Sequence, residues 1–356
     1  MTRDWFVLYR PAAPAVRAQT VQVLASAGAL AERGHRVTVC VQTTSSDAAI
    51  RRAHGLPDAL ELVRLPPGNT LASAAYRLAF ARFVCRTEGR GVALARAKRH
   101  ADWALRWFGG RFRLVVEMHE VDSLHPDRNR QAMRRLEERV LRRAWGVVTN
   151  AAGTLADLRH THRTLPPARV IPNAARPGGP PADPGHDVGW VGSVRPEKDP
   201  DTVVAAVRTL ALRVVLVGPT PGEAAPLVQA AEGRLHLEAA RTPVEVPDRL
   251  RRFRALIVPL SPGRFGERWT SPLKLFDALA SGVPMVAADT PAVRAVAEGA
   301  YVPYTPGDVG SLRKALVRAT TDPRLRARVS TAAQQRSRTW TQRAAEVESF
   351  VDEVLG

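Results

Sequence analysis

Cysteine and lysine are both scarce in these 356 residues: there are two cysteines, Cys40 and Cys85, and four lysines. Two cysteines give no disulfide framework and no metal-ligand spacing. Cys40 ends an apolar, strand-like run and reads as core, which suits a reducing cytosol. Long apolar runs are also missing. Nothing approaches the roughly 18 apolar residues that a spanning helix needs, and the amino terminus lacks the apolar stretch of a signal peptide. The expectation is a cytoplasmic chain, soluble or peripheral to the inner face of the membrane. The opening βαβ pattern lacks Gly-x-Gly-x-x-Gly, so no dinucleotide cofactor is expected there. Zinc-finger spacing and aromatic-glycine RNA-binding signatures are absent too, so no nucleic-acid partner is expected.

Charge of one sign is abundant. Lys and Arg number 52 against 34 acids, for a formal net charge of +18 and a pI near 11.3. Arginine carries nearly all of it, with denser patches at 96–100, 128–143 and 249–254. Arg134–Arg143 mixes both signs at helical spacing and reads as a solvated face. Attraction to an anionic membrane surface is one consequence such a balance allows.

The chain's length suits two domains of about 150–200 residues. Phe6–Tyr9 reads as a strand, Gln19–Arg33 as a helix capped by Gly34, and His35–Val41 as a second strand. That βαβ opening implies a parallel sheet. Further strands are expected at Leu60–Leu65, Leu114–Met118, Gly146–Thr149 and Val170–Asn173. Thr70–Gly109 reads as largely helical. Pro177–Gly185 is rich in Pro and Gly and reads as a linker. After it the βα alternation restarts, with strands expected at Val188–Val191, Val214–Val217, Leu235–Glu238, Ala255–Pro259 and Val283–Ala288. The domains expected are 1–174, a linker at 175–186, a second domain at 187–335, and a final helix at 336–356 that packs back on the first domain.

Two segments carry chemistry. In Trp269–Asp289, Ser271-Pro272 reads as a helix start, with Ser271 as N-cap and Pro272 at the first helical position. Gly282 ends that helix. Lys274 and Asp277 fall three apart near its amino end, where free amides and the dipole make an anion site. In Asp187–Lys198 a strand runs into Gly192, then a polar turn with Arg195 and Lys198, then a helix. Ligands of open parallel sheets bind where strands end and helices begin. Lys198 and Lys274 are two of only four lysines, so a compact ammonium is specifically used at these two places.

These residues resemble the family 4 glycosyltransferases. The resemblance runs through Thr270–Asp289, Val191–Lys198 and Trp340-Thr-Gln-Arg-Ala344. It continues in order through Leu30–Val39, Glu117-Met-His119 and Val170–Asn173. It implies an α/β chain of GT-B fold, two facing Rossmann-like doubly wound domains with a cleft between them. It also implies a retaining transfer from a nucleoside diphosphate sugar to a hydroxyl of a glycan, lipid-linked or small-molecule acceptor, as in polysaccharide biosynthesis, with no cofactor besides the donor substrate. By resemblance, Lys198 and Arg195 hold the donor diphosphate beside Gly192, assisted by Lys274 and the helix start at Thr270, Ser271 and Leu273. Asp277 binds ribose, His119 contacts the transferred sugar, and the loop at Pro14–Arg17 offers Arg17 to the acceptor or phosphate. Metal independence is expected, because these cations and the helix terminus take the metal's place.

The sequence departs from the family twice. Many members carry two glutamates eight positions apart. Asp277 stands at the second position and Trp269 at the first, so Glu267 is the candidate carboxylate. Ser193 stands where an arginine is common. Both departures motivate an alternative, a catalytically degenerate homologue that binds nucleotide sugars or acts as a scaffold.

Overall fold

The computed structural model describes residues 2–15, 17–179 and 185–356. Two compact units emerge, Met1–Pro172 with Trp340–Gly356, and Asn173–Thr339.

In the first unit the strands are β1 (Asp4–Leu8), β2 (Arg36–Gln42), β3 (Glu61–Leu65), β4 (Val92–Ala95), β5 (Arg113–Met118), β6 (Gly146–Thr149) and β7 (Ala168–Val170). They form one sheet in the order β3-β2-β1-β4-β5-β6-β7, and every pairing is parallel. The intervening helices are α1 (Ala18–Glu32), α2 (Asp47–His54), α3 (Asn69–Thr87), α4 (Lys98–Phe108), α5 (Arg130–Leu141) and α6 (Ala152–Thr161). Parallel strands need crossovers, and the near-continuous Val, Ile and Leu runs let both sheet faces be covered. Phe6 of β1 meets Tyr76, Phe80 and Phe83 of α3 at ring separations of 5.0–6.0 Å. Such aromatic pairs add about 0.5–1.5 kcal/mol each beyond area burial.

Thr70–Gly109 is largely helical, as expected, in α3 and α4, but strand β4 interrupts it. Its Val92-Ala-Leu-Ala has no alternation, and Ala and Leu favour helix. All four residues are buried between β1 and β5, and that burial overrides propensity.

In the second unit the strands are β8 (Val188–Val191), β9 (Val214–Val217), β10 (Leu235–Glu238), β11 (Ala255–Val258), β12 (Met285–Ala288) and β13 (Val302–Tyr304). Their order is β10-β9-β8-β11-β12-β13, again all parallel. The helices are α7 (Pro200–Val207), α8 (Pro221–Ala230), α9 (Val246–Leu250), α10 (Leu273–Ser281), α11 (Pro291–Ala297), α12 (Val309–Thr321) and α13 (Pro323–Arg336). Thr220 and Glu223 cap α8 reciprocally, and Asp322 caps α13. Each such cap stabilises by about 1 kcal/mol.

The last helix, α14 (Trp340–Leu355), belongs to the first unit. There Glu348 bonds Arg33 at the end of α1 at 2.7 Å. Of the Pro/Gly segment 175–186, residues 180–184 lie outside the described residues. Ala175 pairs with Thr339 in a short bridge, and the Gly185 amide donates to Arg252 O.

Candidate active site

In the second sheet β8 leads to β9 on one side, while β11 flanks it on the other. A ligand crevice forms where the strand order reverses in this way, at the strands' carboxyl ends. Gly192 follows β8 with φ +136° and Gly218 follows β9 with φ +132°. A Cβ on Gly218 would sit 3.2 Å from the Gly192 carbonyl oxygen. Two glycines therefore permit a backbone approach that side chains would block.

Beyond Gly192 the turn tightens into a single 3-10 turn, Pro196–Lys198. The Ser261 amide after β11 donates to Glu197 O at 3.2 Å, which ties the turn across the crevice. Burial pushes the Lys198 ammonium down to about 8, and the fields of Arg195 and Lys274 add to the shift. Three cations thus converge, with the carboxylates of Glu197 and Asp277 nearby. Such an arrangement costs energy when empty and is relieved by an anion. Lys198 Nζ also lies 5.9 Å from the ring centre of Phe265.

Helix α10 begins at Leu273, one residue later than expected. Pro272 occupies the cap position and no side chain caps the helix. Ser271 does not serve as N-cap, because its groups are taken by Asn173. The Asn173 amide donates to Ser271 Oγ at 3.2 Å, and Asn173 Nδ2 donates to Ser271 O at 2.6 Å. Thr270 and Ser271 are buried. The first amides of α10, at Leu273 and Lys274, have no acceptor within the helix. Lys274 Nζ contacts Asp277 Oδ2 at 3.2 Å, so the expected phosphate and ribose groups hold each other. Glu267 is exposed in a turn of π-helix, Phe265–Trp269. Its carboxylate accepts from the Gly263 amide at 3.1 Å, while Trp269 is buried at 3% exposure. The structure brings the Phe265 end of this turn to Lys198. The Asp-x-Asp triplet Asp199-Pro-Asp201 opens α7, with Asp199 accepting from the Gly307 amide at 3.2 Å. Among the described residues no cluster of three or more His, Cys, Asp or Glu could hold a metal ion.

His119 and Arg17 belong to the first unit. Arg17 precedes α1 as an exposed residue and gives no side-chain cap. Its neighbour Val16 is outside the described residues. His119 follows β5, and its Nε2 lies 2.8 Å from Glu117 Oε1. The same oxygen accepts from Gln22 Nε2 at 2.7 Å and from the Arg343 guanidinium at 2.7 Å. Burial would raise the Glu117 carboxyl, but Arg343 and His119 hold it well below the usual range. Burial and then the Arg96 charge push His119 down to about 4. His119 is therefore neutral at pH 7. With Nε2–H donated to the Glu117 carboxylate, Nδ1 carries the lone pair and is able to accept a hydrogen bond. Arg343 of α14 is 1% exposed and also donates to Pro172 O at 3.1 Å and Ser26 Oγ at 3.0 Å.

Sequence reasoning missed Gly218, Phe265, Gln22 and the role of Arg343. The final Trp340-Thr-Gln-Arg segment was the available signal for Arg343. Gln22 and Phe265 show nothing local that would single them out.

The family "Glycosyl transferases group 1" matches residues 185–322, and "Glycosyltransferase Family 4" matches residues 19–177. Among solved structures, sucrose-phosphate synthase from Thermosynechococcus elongatus aligns with a TM-score of 0.78 at 16% identity, over 99% of both chains. HepE from Anabaena, solved with UDP and glucose, aligns at 0.73 and 19%, over 98% of this chain and 100% of that one. A TarM variant from S. aureus, solved with fondaparinux, α-GlcNAc-glycerol and UDP, aligns at 0.73 and 9%, over 98% and 100%. No curated protein sequence matches. These likenesses establish the GT-B fold.

Proposed function

The chain belongs to the family 4 glycosyltransferases, and from that premise we propose that it moves a sugar from a nucleoside diphosphate sugar to an acceptor hydroxyl with retention at the anomeric carbon. The observation that carries this is the convergence of Arg195, Lys198 and Lys274 at the carboxyl end of β8, beside the uncapped start of α10. UDP in the HepE and TarM structures supports the same reading.

The chemistry follows from where charge grows. As the glycosyl bond breaks, negative charge builds on the departing diphosphate. Preorganised cations and helix amides stabilise it there without reorganising. Phosphate takes Asp277's place on Lys274, which frees Asp277 for the ribose hydroxyls. In this reading these groups do a divalent metal's work, so turnover persists in chelator. Attack comes from the leaving-group face, and the departing phosphate takes the acceptor proton. His119 Nδ1 accepts from a hydroxyl of the transferred sugar. The acceptor is a glycan, lipid-linked or small-molecule hydroxyl compound.

No helix among the described residues is long and apolar enough to cross a membrane. An anionic membrane surface is the second partner in this reading. Leu71 and Leu78 on α3 and Trp107 on α4 are 68%, 53% and 72% exposed. The sequence of α3 holds Arg77, Arg82 and Arg86 and no carboxylate. Apolar anchors among cations suit anionic lipid.

The test is nucleotide release from UDP-, GDP-, ADP- and dTDP-sugars with an acceptor panel in chelator, with the product's anomeric configuration read by NMR. Transfer with retention from one donor, nearly abolished in Lys198→Ala, supports the proposal. An inverted product or an unaffected variant overturns it. A second reading, a nucleotide-sugar binder without turnover, is favoured by buried Trp269 and by Glu267 turned to the Gly263 amide. Normal donor binding without release on any acceptor would select it.

A further inference from the structure

Arg343 sits on the last helix, α14, yet every nitrogen of its guanidinium is engaged inside the first unit. Nε donates to Pro172 O at 3.1 Å, Nη1 to Ser26 Oγ of α1 at 3.0 Å, and Nη2 to Glu117 Oε1 of β5 at 2.7 Å. The planar fork fixes these three directions at once. The side chains of Arg343 and Glu117 are 1% and 3% exposed, so water does not compete for the pair. Glu117 Oε1 also accepts from Gln22 Nε2 at 2.7 Å and meets His119 Nε2 at 2.8 Å. Gln22 is a neutral donor. Among the described residues, Arg343 is the permanent cation hydrogen-bonded to this carboxylate.

The number of protons on the Glu117–His119 pair decides what His119 Nδ1 can do. With Glu117 ionised and the imidazole neutral, the hydrogen between them sits on Nε2, and Nδ1 keeps its lone pair. One further proton taken from solvent ends this, wherever it settles. On the carboxyl it turns the contact round, so that Nε2 accepts and Nδ1 carries the hydrogen. On the ring it makes an imidazolium, with both nitrogens as donors. Either way Nδ1 changes from acceptor to donor. The charged groups facing the pair are Arg343 of α14 and Arg96 after β4, while Gln22 and Ser26 of α1 are neutral. Burial favours protonation of Glu117, and Arg343 opposes it most strongly. Burial and then Arg96 oppose protonation of His119, with a smaller contribution from Arg343.

We propose that Arg343 is a positioning residue for His119: through Glu117 it keeps Nδ1 a hydrogen-bond acceptor, so that this place in the first unit selects a ligand hydroxyl and refuses an acceptor-only group such as a carboxylate or phosphate oxygen. That the hydroxyl belongs to the transferred sugar rests on the glycosyltransferase reading; the proton count does not.

The test is NMR of the full chain with isotope-labelled histidine, titrated from pH 8 to 5, with His119 assigned by its loss in His119→Asn. Wild type should carry its hydrogen on Nε2 throughout, since the ring titrates at about 4. In Arg343→Met the proton affinity at Nδ1 should rise about tenfold or more, as loss of an adjoining opposite charge implies. Arg343→Gln, which keeps donors and loses the charge, carries the same expectation where the methionine variant does not fold. Arg343→Lys restores the charge without the fork and should titrate like wild type. Glu348→Ala loosens the same helix at its contact with Arg33 and should leave His119 alone, which separates a merely structural role for α14. Turnover reads the same event. The acid limb of the kcat profile should move up in Arg343→Met and back in Arg343→Lys, while the Kd for nucleoside diphosphate matches wild type. A wild-type ring with its hydrogen on Nδ1, or Arg343→Met titrating like wild type, overturns the proposal. So does a Glu348→Ala titration that moves as far as that of Arg343→Met. If no donor is turned over while the His119 pattern holds, the positioning stands and the glycosyltransferase reading falls.

Discussion

Lys198 pays for its charge in the empty protein, and that makes donor binding pH-dependent. Its ammonium titrates at about 8, pushed down by burial and by Arg195 and Lys274. A diphosphate prefers the charged form. The second ionisation of a phosphate, near pH 6, is complete by neutrality. Apparent affinity should therefore fall about tenfold between pH 7 and 9, as Lys198 loses its proton. A guanidinium stays charged across that range, so Lys198→Arg should flatten the profile. Lys198→Ala removes a charge-assisted contact worth about 1.5–3 kcal/mol to the ground state. In the transition state the loss should be about 2.7–4 kcal/mol, or roughly a hundred- to a thousandfold in kcat. Calorimetric titration with the preferred nucleoside diphosphate from pH 7 to 9 reads the first effect, and donor turnover reads the second. A flat wild-type profile, or the same fall in Lys198→Arg, would refute the reasoning.

Acid should destabilise the first unit through its histidines. Burial depresses His35, His100 and His119, the last two to about 4, against about 6.5 when unfolded. The unfolded chain binds more protons between those values, so stability is complete above about pH 6.5 and is lost as pH falls toward 4; an unchanged urea midpoint from pH 7 to 5 would contradict this. Arg343→Met should cost about 3–5 kcal/mol by leaving the Glu117 charge unpaired. In a double-mutant cycle, Arg343→Met with Glu117→Gln should cost less than the sum of the two. Trp107→Ala with Leu78→Ser should release the chain from phosphatidylglycerol vesicles without changing its melting temperature, as flotation and thermal unfolding would show.

Much of the fold was legible because its signals are local. Apolar runs such as Val214–Val217 read as buried strands, and Gly282 marked the end of α10. Lys198 and Lys274 stood out because lysine is otherwise so rare. What stayed hidden depends on distant partners. Arg343 and Glu117 are 226 positions apart, and nothing local announces their pairing. Ser271 carries the signature of an N-cap, but Asn173, 98 positions away, takes its groups. Strand β4 stayed hidden for the same reason, since Val92-Ala-Leu-Ala carries helix propensity and becomes a strand only when buried between β1 and β5.

The central claim is that the groups at the end of β8 and the start of α10 seat a nucleoside diphosphate. It is tested most directly by thermal unfolding with UDP, GDP, ADP and dTDP, each beside its parent nucleoside, without added metal. The account predicts that one diphosphate at about a hundred times its Kd raises Tm by about 5 °C or more. Its nucleoside should do little, and Lys274→Ala should abolish the shift. No shift with any diphosphate, or equal shifts with the nucleosides, would contradict the account.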